Sequence, residues 1–178
     1  MSPSRLVLTL GTAALLSVLC PINAMARTVE PGKLIASGHL GPAFLNDSRL
    51  GGSDRFLLLG AGLEYPFTKS ISAAGDVSFG LSGSQQLKLR GGGRYRWANL
   101  DLPISPYAEG HAVVGRLFDV IGTDLSFYGI RAGAGADYFL TAKLLVGAKL
   151  GYEIARTTGA NPTTFAQVEL LATVGMVL

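Results

Sequence analysis

Two sets of side chains in this sequence can act on one another. Lys88, Arg90, Arg94, Arg96, Arg131 and Lys149 are basic; Glu64, Asp76, Glu109, Asp137, Glu153 and Glu169 balance them. Four of the bases fall on alternate positions of one short segment, Lys88-x-Arg90-x-Gly92-x-Arg94-x-Arg96. Alternate residues of a β-strand share a face, so this spacing stacks the cations on one side of a strand. Enclosed together, the two sets must pair, because a buried unpaired charge costs on the order of 3–5 kcal/mol. His39 and His111 share the charged parity.

Catalysis would need more. A nucleophile requires an adjacent base oriented by a third group. Ser37 and His39, two residues apart on one face, are the nearest approach to such a set. There is no His-x-Ser pair and no Gly-x-Ser-x-Gly elbow. Two distant histidines do not make a metal site. The expectation is no catalytic, cofactor-binding or metal-binding residues. The charges then form either a closed, salt-bridged interior or, alternatively, a thin polar path for protons or small solutes.

The elements that carry these residues read as strands. From Tyr128 to Leu140, one parity is Tyr, Ile, Ala, Ala, Ala, Tyr, Leu; the other holds glycines, Arg131, Asp137 and Phe139. Leu57–Phe67, Leu87–Trp97, Leu144–Ile154 and Ala166–Leu178 repeat the alternation, and Leu34–Phe44, Ile71–Leu81 and Tyr107–Phe118 do so less cleanly. That predicts eight strands. Thr68-Lys69-Ser70 and Thr141-Ala142-Lys143 read as tight turns, and 99–105 as a slightly longer one. The opposite connections centre on 46–54, 83–85, 119–126 and 157–163, rich in turn formers. An even strand count with short turns at one end and longer loops at the other is the scheme of an outer-membrane barrel.

The apolar parity has aromatics near both ends: Tyr65, Phe67, Tyr95, Trp97 and Tyr138 towards one rim, and Phe118, Tyr128 and Tyr152 towards the other. Girdles of this kind mark a lipid-facing surface. A soluble barrel would reverse the faces. On the lipid-facing reading, a charge at outward Val146 should be costly and a hydroxyl at inward Gly147 mild.

Residues 1–26 have the form of a secretory signal peptide. Arg5 is their one charged side chain, Leu6–Leu19 is mostly apolar, and Ala24-Met25-Ala26 is a small-x-small cleavage site. A cut after Ala26 removes Cys20 and leaves no cysteine. Residues 27–33 form a short N-terminal segment and 34–178 the barrel. The formal charge of +3 is scattered and excludes a nucleic-acid-binding stripe.

The segments Gly135–Ile154 (GADYFLTAKLLVGAKLGYEI) and Pro103–Gly115 (PISPYAEGHAVVG) resemble hairpins of small outer-membrane barrels. Over about residues 34–178, the chain resembles the class that includes the OmpA membrane domain, the OmpX/Ail group and OmpW. That resemblance implies an eight-stranded antiparallel up-and-down transmembrane barrel in a bacterial outer membrane. Its partners would be outer-membrane lipid, lipopolysaccharide and the assembly machinery, and its role structural or surface-interacting. Such chains usually end in an aromatic residue read by that machinery; Leu178 departs from the pattern, while the alternation of Leu170, Ala172, Val174, Met176 and Leu178 otherwise follows it.

Overall fold

The computed structural model describes residues 29–46, 55–81, 85–98, 103–120, 123–159 and 161–178. The expected signal segment lies outside them. Eight strands follow in chain order: β1 (Ile35–Asn46), β2 (Arg55–Pro66), β3 (Ile71–Gly80), β4 (Gln86–Arg96), β5 (Ile104–Val120), β6 (Thr123–Phe139), β7 (Leu144–Thr157) and β8 (Thr164–Val177). Each pairs antiparallel with its sequence neighbours, and β1 pairs with β8 to close the barrel. The seam runs from Ile35 opposite Val177 to Asn46 opposite Ala166. Closure leaves no open strand edge, the condition for a sheet to cross hydrocarbon.

The faces are sorted as the alternation dictates. Leu59, Leu89, Ile130, Leu150, Leu170 and Val174 are exposed on the outer surface, while Lys88, Arg90, Arg131, Glu153 and Glu169 are buried inside. A soluble barrel has the opposite arrangement. Tyr65, Phe67, Tyr95, Trp97, Tyr128 and Tyr152 are exposed; Tyr138 and Phe118 are half-buried. Tyr65–Phe67 and Tyr95–Trp97 are edge-to-face pairs, with centroids 5.4 and 5.5 Å apart.

The two Thr turns are built alike. Thr68 Oγ1 accepts from the amides of Ser70 (3.2 Å) and Ile71 (2.9 Å), and Thr141 Oγ1 from those of Lys143 (3.1 Å) and Leu144 (2.9 Å). A threonine hydroxyl satisfies two donors that the hairpin would otherwise leave open. Both turns lie at the end of the barrel that holds the N-terminal segment and the C-terminus, since Gly32 N donates to Pro66 O and Val177 N to Lys143 O.

Two expectations need correction. The connection expected over 119–126 is mostly strand: β5 runs to Val120 and β6 starts at Thr123, with a register irregularity between Leu117 and Val120. The polar residues there suggested a loop, but the two strands pair as far as Val120 opposite Thr123. Gly147 is not a mild site. A Cβ there would meet Ala136 O at 2.6 Å and Asp137 Oδ1 at 2.5 Å, so even alanine must displace backbone. Val146 also lies two residues from the turn end of β7, and Leu150 is the mid-strand outward position.

Candidate functional site: the barrel lumen

The lumen is layered. At the loop end Leu45, Phe56, Leu58, Val113, Leu117, Phe127, Phe165 and Leu171 point inward and pack together. Phe127 and Phe165 meet edge-to-face at 5.3 Å. At the turn end Val29 of the N-terminal segment packs with Ile35 and Leu145, flanked by Phe139 and Val177. The charged residues lie between these two apolar layers.

Strand β4 is the spine of the charged layer. Lys88 Nζ reaches Glu153 (3.0 Å) and Glu169 (3.1 Å). Arg90 contacts Glu169 (2.6 Å), Asp76 (3.5 Å) and Glu153 (3.7 Å). Arg94 bridges Glu64 (2.6 Å) and Glu109 (2.7 Å), and its guanidinium lies 3.9 Å from the centre of the Tyr107 ring. Arg96 bridges Glu64 (2.8 Å) and Asp137 (2.7 Å). From β6, Arg131 donates to Glu109 and approaches Glu169 at 3.3 Å. Glycine on the adjoining strand β7 makes room for Arg131. A Cβ at Gly151 would sit 2.3 Å from Arg131 Nη2. An eight-stranded barrel is just wide enough for its own side chains to fill, and here they span it.

Arg90–Asp76 and Arg94–Glu109 are direct partners in the registers of β4 with its two flanking strands, but other pairs cross the lumen. Arg131 is directly opposite Glu153 in the β6–β7 register, yet its carboxylate contacts are Glu109 and Glu169. Long guanidinium side chains lean across the lumen, so β4 reaches β7 and β8 without adjoining either. Glu169 on β8 is the hub. It is fully buried and accepts from Lys88, Arg90, Arg131 and Gln167. Lys149, also buried, stands apart from the pairs.

The two histidines are enclosed as well. His39 Nε2 lies 2.9 Å from Ser78 Oγ, and Ser78 Oγ donates to Asp76 at 2.9 Å. With the hydroxyl proton committed to the carboxylate, His39 must donate to Ser78. That order is the reverse of nucleophile activation, in which the imidazole takes the hydroxyl proton. The partner is Ser78 on the β3 wall, not the sequence neighbour Ser37. His111 Nδ1 is buried without a hydrogen-bond partner.

Several lumen residues escaped the sequence reading. Tyr107 shares the inward parity of Glu109 and His111, which was the available signal. Ser72 donates to Glu64 at 2.7 Å, and Gln86 to Gln167 at 3.3 Å. The apolar layer at the loop end was missed because Phe56, Leu58, Phe127 and Phe165 sit on the otherwise polar parity.

Closure, eight strands, an apolar outer belt and a charged interior together decide the architecture. The fold is that of a small outer-membrane β-barrel. No family model and no curated protein matches the sequence. Among solved structures, the chain is similar to Neisserial surface protein A (TM-score 0.65, 16% identity, covering 82% of this chain and 97% of that one). It is also similar to the outer membrane protein OprG from Pseudomonas aeruginosa (TM-score 0.63, 16% identity, 85% and 98% covered). A third likeness is to the N-terminal barrel domain of Pseudomonas aeruginosa OprF (TM-score 0.60, 13% identity, 84% and 100% covered). At these identities the likeness is one of fold.

Proposed function

We propose that this chain is an integral outer-membrane protein, exported by a signal peptide cut after Ala26. Its role is structural or surface-interacting, and its lumen does not conduct. The layering of the lumen carries the reading. A path for ions would have to cross both the packed aromatic and aliphatic layer around Phe127 and Phe165 and the Ile35–Leu145–Val29 layer. Between them, the charges are mostly engaged with one another across the barrel. The loop-end rim is modestly charged: Arg116 pairs with Asp124 at 3.0 Å and Arg55 lies over Phe44 at 5.9 Å. That rim is where lipopolysaccharide and surface partners would be met.

The test is conductance in planar lipid bilayers. The folded protein is expected to give no stable unitary current. A steady current that falls in Arg94→Ala would overturn the sealed-barrel reading in favour of a narrow channel. Location is checked by fractionation: recovery with outer membranes, with faster gel mobility before boiling than after. Recovery in the soluble periplasm would refute it.

A further inference from the structure

The outward parity carries charge at one end only. Among the described residues, its charged strand positions are Arg55 on β2, Arg116 on β5, Asp124 on β6 and Arg156 on β7, all exposed and all at the loop end. Each arginine sits at the level of an aromatic ring. Arg55 is 5.9 Å from the centre of Phe44, Arg116 is 5.8 Å from that of Phe118, and Arg156 is opposite Tyr128 in the β6–β7 register. Such rings mark the headgroup level of a membrane. The exposed cations of the turn end are lysines instead: Lys33, Lys69 and Lys143, in the N-terminal segment and the turns.

Arg116 and Arg156 belong to one patch. Arg116 is opposite Ser126, and Thr158 N donates to Ser126 O, so Arg116, Ser126 and Thr158 form a row across three neighbouring strands. Arg156 is one outward position further down β7. Two strand spacings of about 4.8 Å and one two-residue step put the two arginine Cα atoms about 12 Å apart. Side chains of that length can close on one small group between them. Arg116 gives Asp124 a single hydrogen bond, from Nη2 to Oδ2 at 3.0 Å, out of the five N–H donors of a guanidinium. Arg156 makes no ion pair among the described residues. Thr158 Oγ1 commits its proton to Ser126 O at 3.1 Å, and the exposed Ser126 hydroxyl can donate.

We propose that Arg116 and Arg156, with Ser126 between them, bind the phosphate monoester of a lipid headgroup in the leaflet at the loop end. The inference rests on the outer-membrane reading above and names the lipid chemistry that fits it. These side chains share the parity of the lipid-facing residues, so their ligand comes from the membrane side and not from the lumen. A monoester carries about −1.5 to −2 charge and three acceptor oxygens, enough to engage two guanidinium groups and a hydroxyl together. A phosphodiester has a single charge and two free oxygens. Arginine, not lysine, is the side chain whose planar fork matches phosphate through two parallel hydrogen bonds. Asp124 competes for Arg116 and opposes the anion, so it lowers the affinity.

The experiment uses the protein refolded in a neutral detergent, with gel mobility showing that the barrel is closed. Native mass spectrometry then counts the lipid retained from lipid A bearing its phosphates, from the same lipid A with the phosphates removed, and from phosphatidylglycerol. The phosphorylated lipid A should be held one to one, at least about tenfold more tightly than either of the others. Arg116→Gln and Arg156→Gln should each weaken it about tenfold, roughly the worth of one charge-assisted hydrogen-bonded contact. Arg156→Lys should restore only part of that loss, and Asp124→Asn should tighten binding. Lys143→Gln, at the turn end, should leave it unchanged. Equal retention of lipid A with and without phosphate overturns the proposal, as does wild-type retention by both arginine variants. Phosphatidylglycerol held as tightly would reduce the site to unspecific charge attraction and overturn it too. Inorganic phosphate bound as tightly as the lipid would assign a free-anion site in its place. Any of these results in a barrel that inserts into vesicles leaves the outer-membrane reading standing, whereas a chain that fails to insert overturns both.

Discussion

Replacing Glu169 by Gln tests whether the charged layer holds the barrel together. The side chain keeps its shape and loses its charge. Lys88 at 3.1 Å, Arg90 at 2.6 Å and Arg131 at 3.3 Å then face an amide. Each cation keeps a second carboxylate: Glu153 for Lys88, Asp76 and Glu153 for Arg90, and Glu109 for Arg131. The loss is therefore that of one buried pair, not three, and breaking such a pair costs about 3–5 kcal/mol. At 1.4 kcal/mol per decade, the unfolding constant should rise by roughly two to three and a half decades. Urea unfolding in detergent micelles, followed by the fluorescence of the single tryptophan, Trp97, measures it. Glu30→Gln breaks the exposed Glu30–Lys33 pair and serves as the control, expected to cost about 0–1 kcal/mol. If Glu169→Gln costs no more than Glu30→Gln, the charges are solvated by lumen water, and the argument from buried pairing is wrong.

Leu150→Arg places a charge on the outer face at mid-strand of β7 and should cost about 2–4 kcal/mol in refolding from urea into lipid vesicles; a neutral result would reverse the assignment of faces. Gly91→Ala and Gly110→Ala add a Cβ with nothing within 4 Å, so each should stabilise by about 0.5–1 kcal/mol, whereas Gly147→Ala, which meets a backbone oxygen at 2.6 Å, should lower the urea midpoint. Phe165→Ala opens the apolar layer at the loop end and should cost about 3–5 kcal/mol by the same urea assay; a loss below 1 kcal/mol, roughly, would mean the layer is loosely packed.

The alternation was legible because a barrel wall only two-sided in its surroundings forces a period of two on every strand. Lipid on one side selects Leu, Ile and Val at positions such as Leu59 and Leu150, and a crowded lumen selects glycine beside long charges, as at Gly151 next to Arg131. Strand identity and inward parity therefore followed from residues 57–67 and 128–140 almost directly. Adjacency also gave Arg90–Asp76 and Arg94–Glu109; what did not follow were the pairs across the lumen. Register relates a residue to its flanking strands, but Arg90 meets Glu169 across the lumen, a contact between β4 and β8 that no local spacing encodes. The apolar layer at the loop end was hidden for another reason: Phe127 and Phe165 break the polar parity near strand ends, where a sequence pattern is shortest. The cavity of about 20 Å³ beside Lys149 and Thr173 was invisible because it is defined by the space that surrounding side chains fail to fill.

The placement of the cations on β4 bears on how the chain can enter a membrane. Their carboxylates come from β2, β3, β5, β6, β7 and β8, from near the beginning of the barrel sequence to near its end. An early intermediate that carried β1 to β4 into the bilayer would bring Lys88, Arg90, Arg94 and Arg96 into hydrocarbon with only Glu64 and Asp76 for company. Each Arg or Lys facing lipid at the midplane costs about 2–4 kcal/mol, so hairpin-by-hairpin insertion climbs a steep barrier. Neutralisation is complete only when β8 delivers Glu169 and the seam with β1 zips. Strand gathering must then precede or accompany membrane crossing.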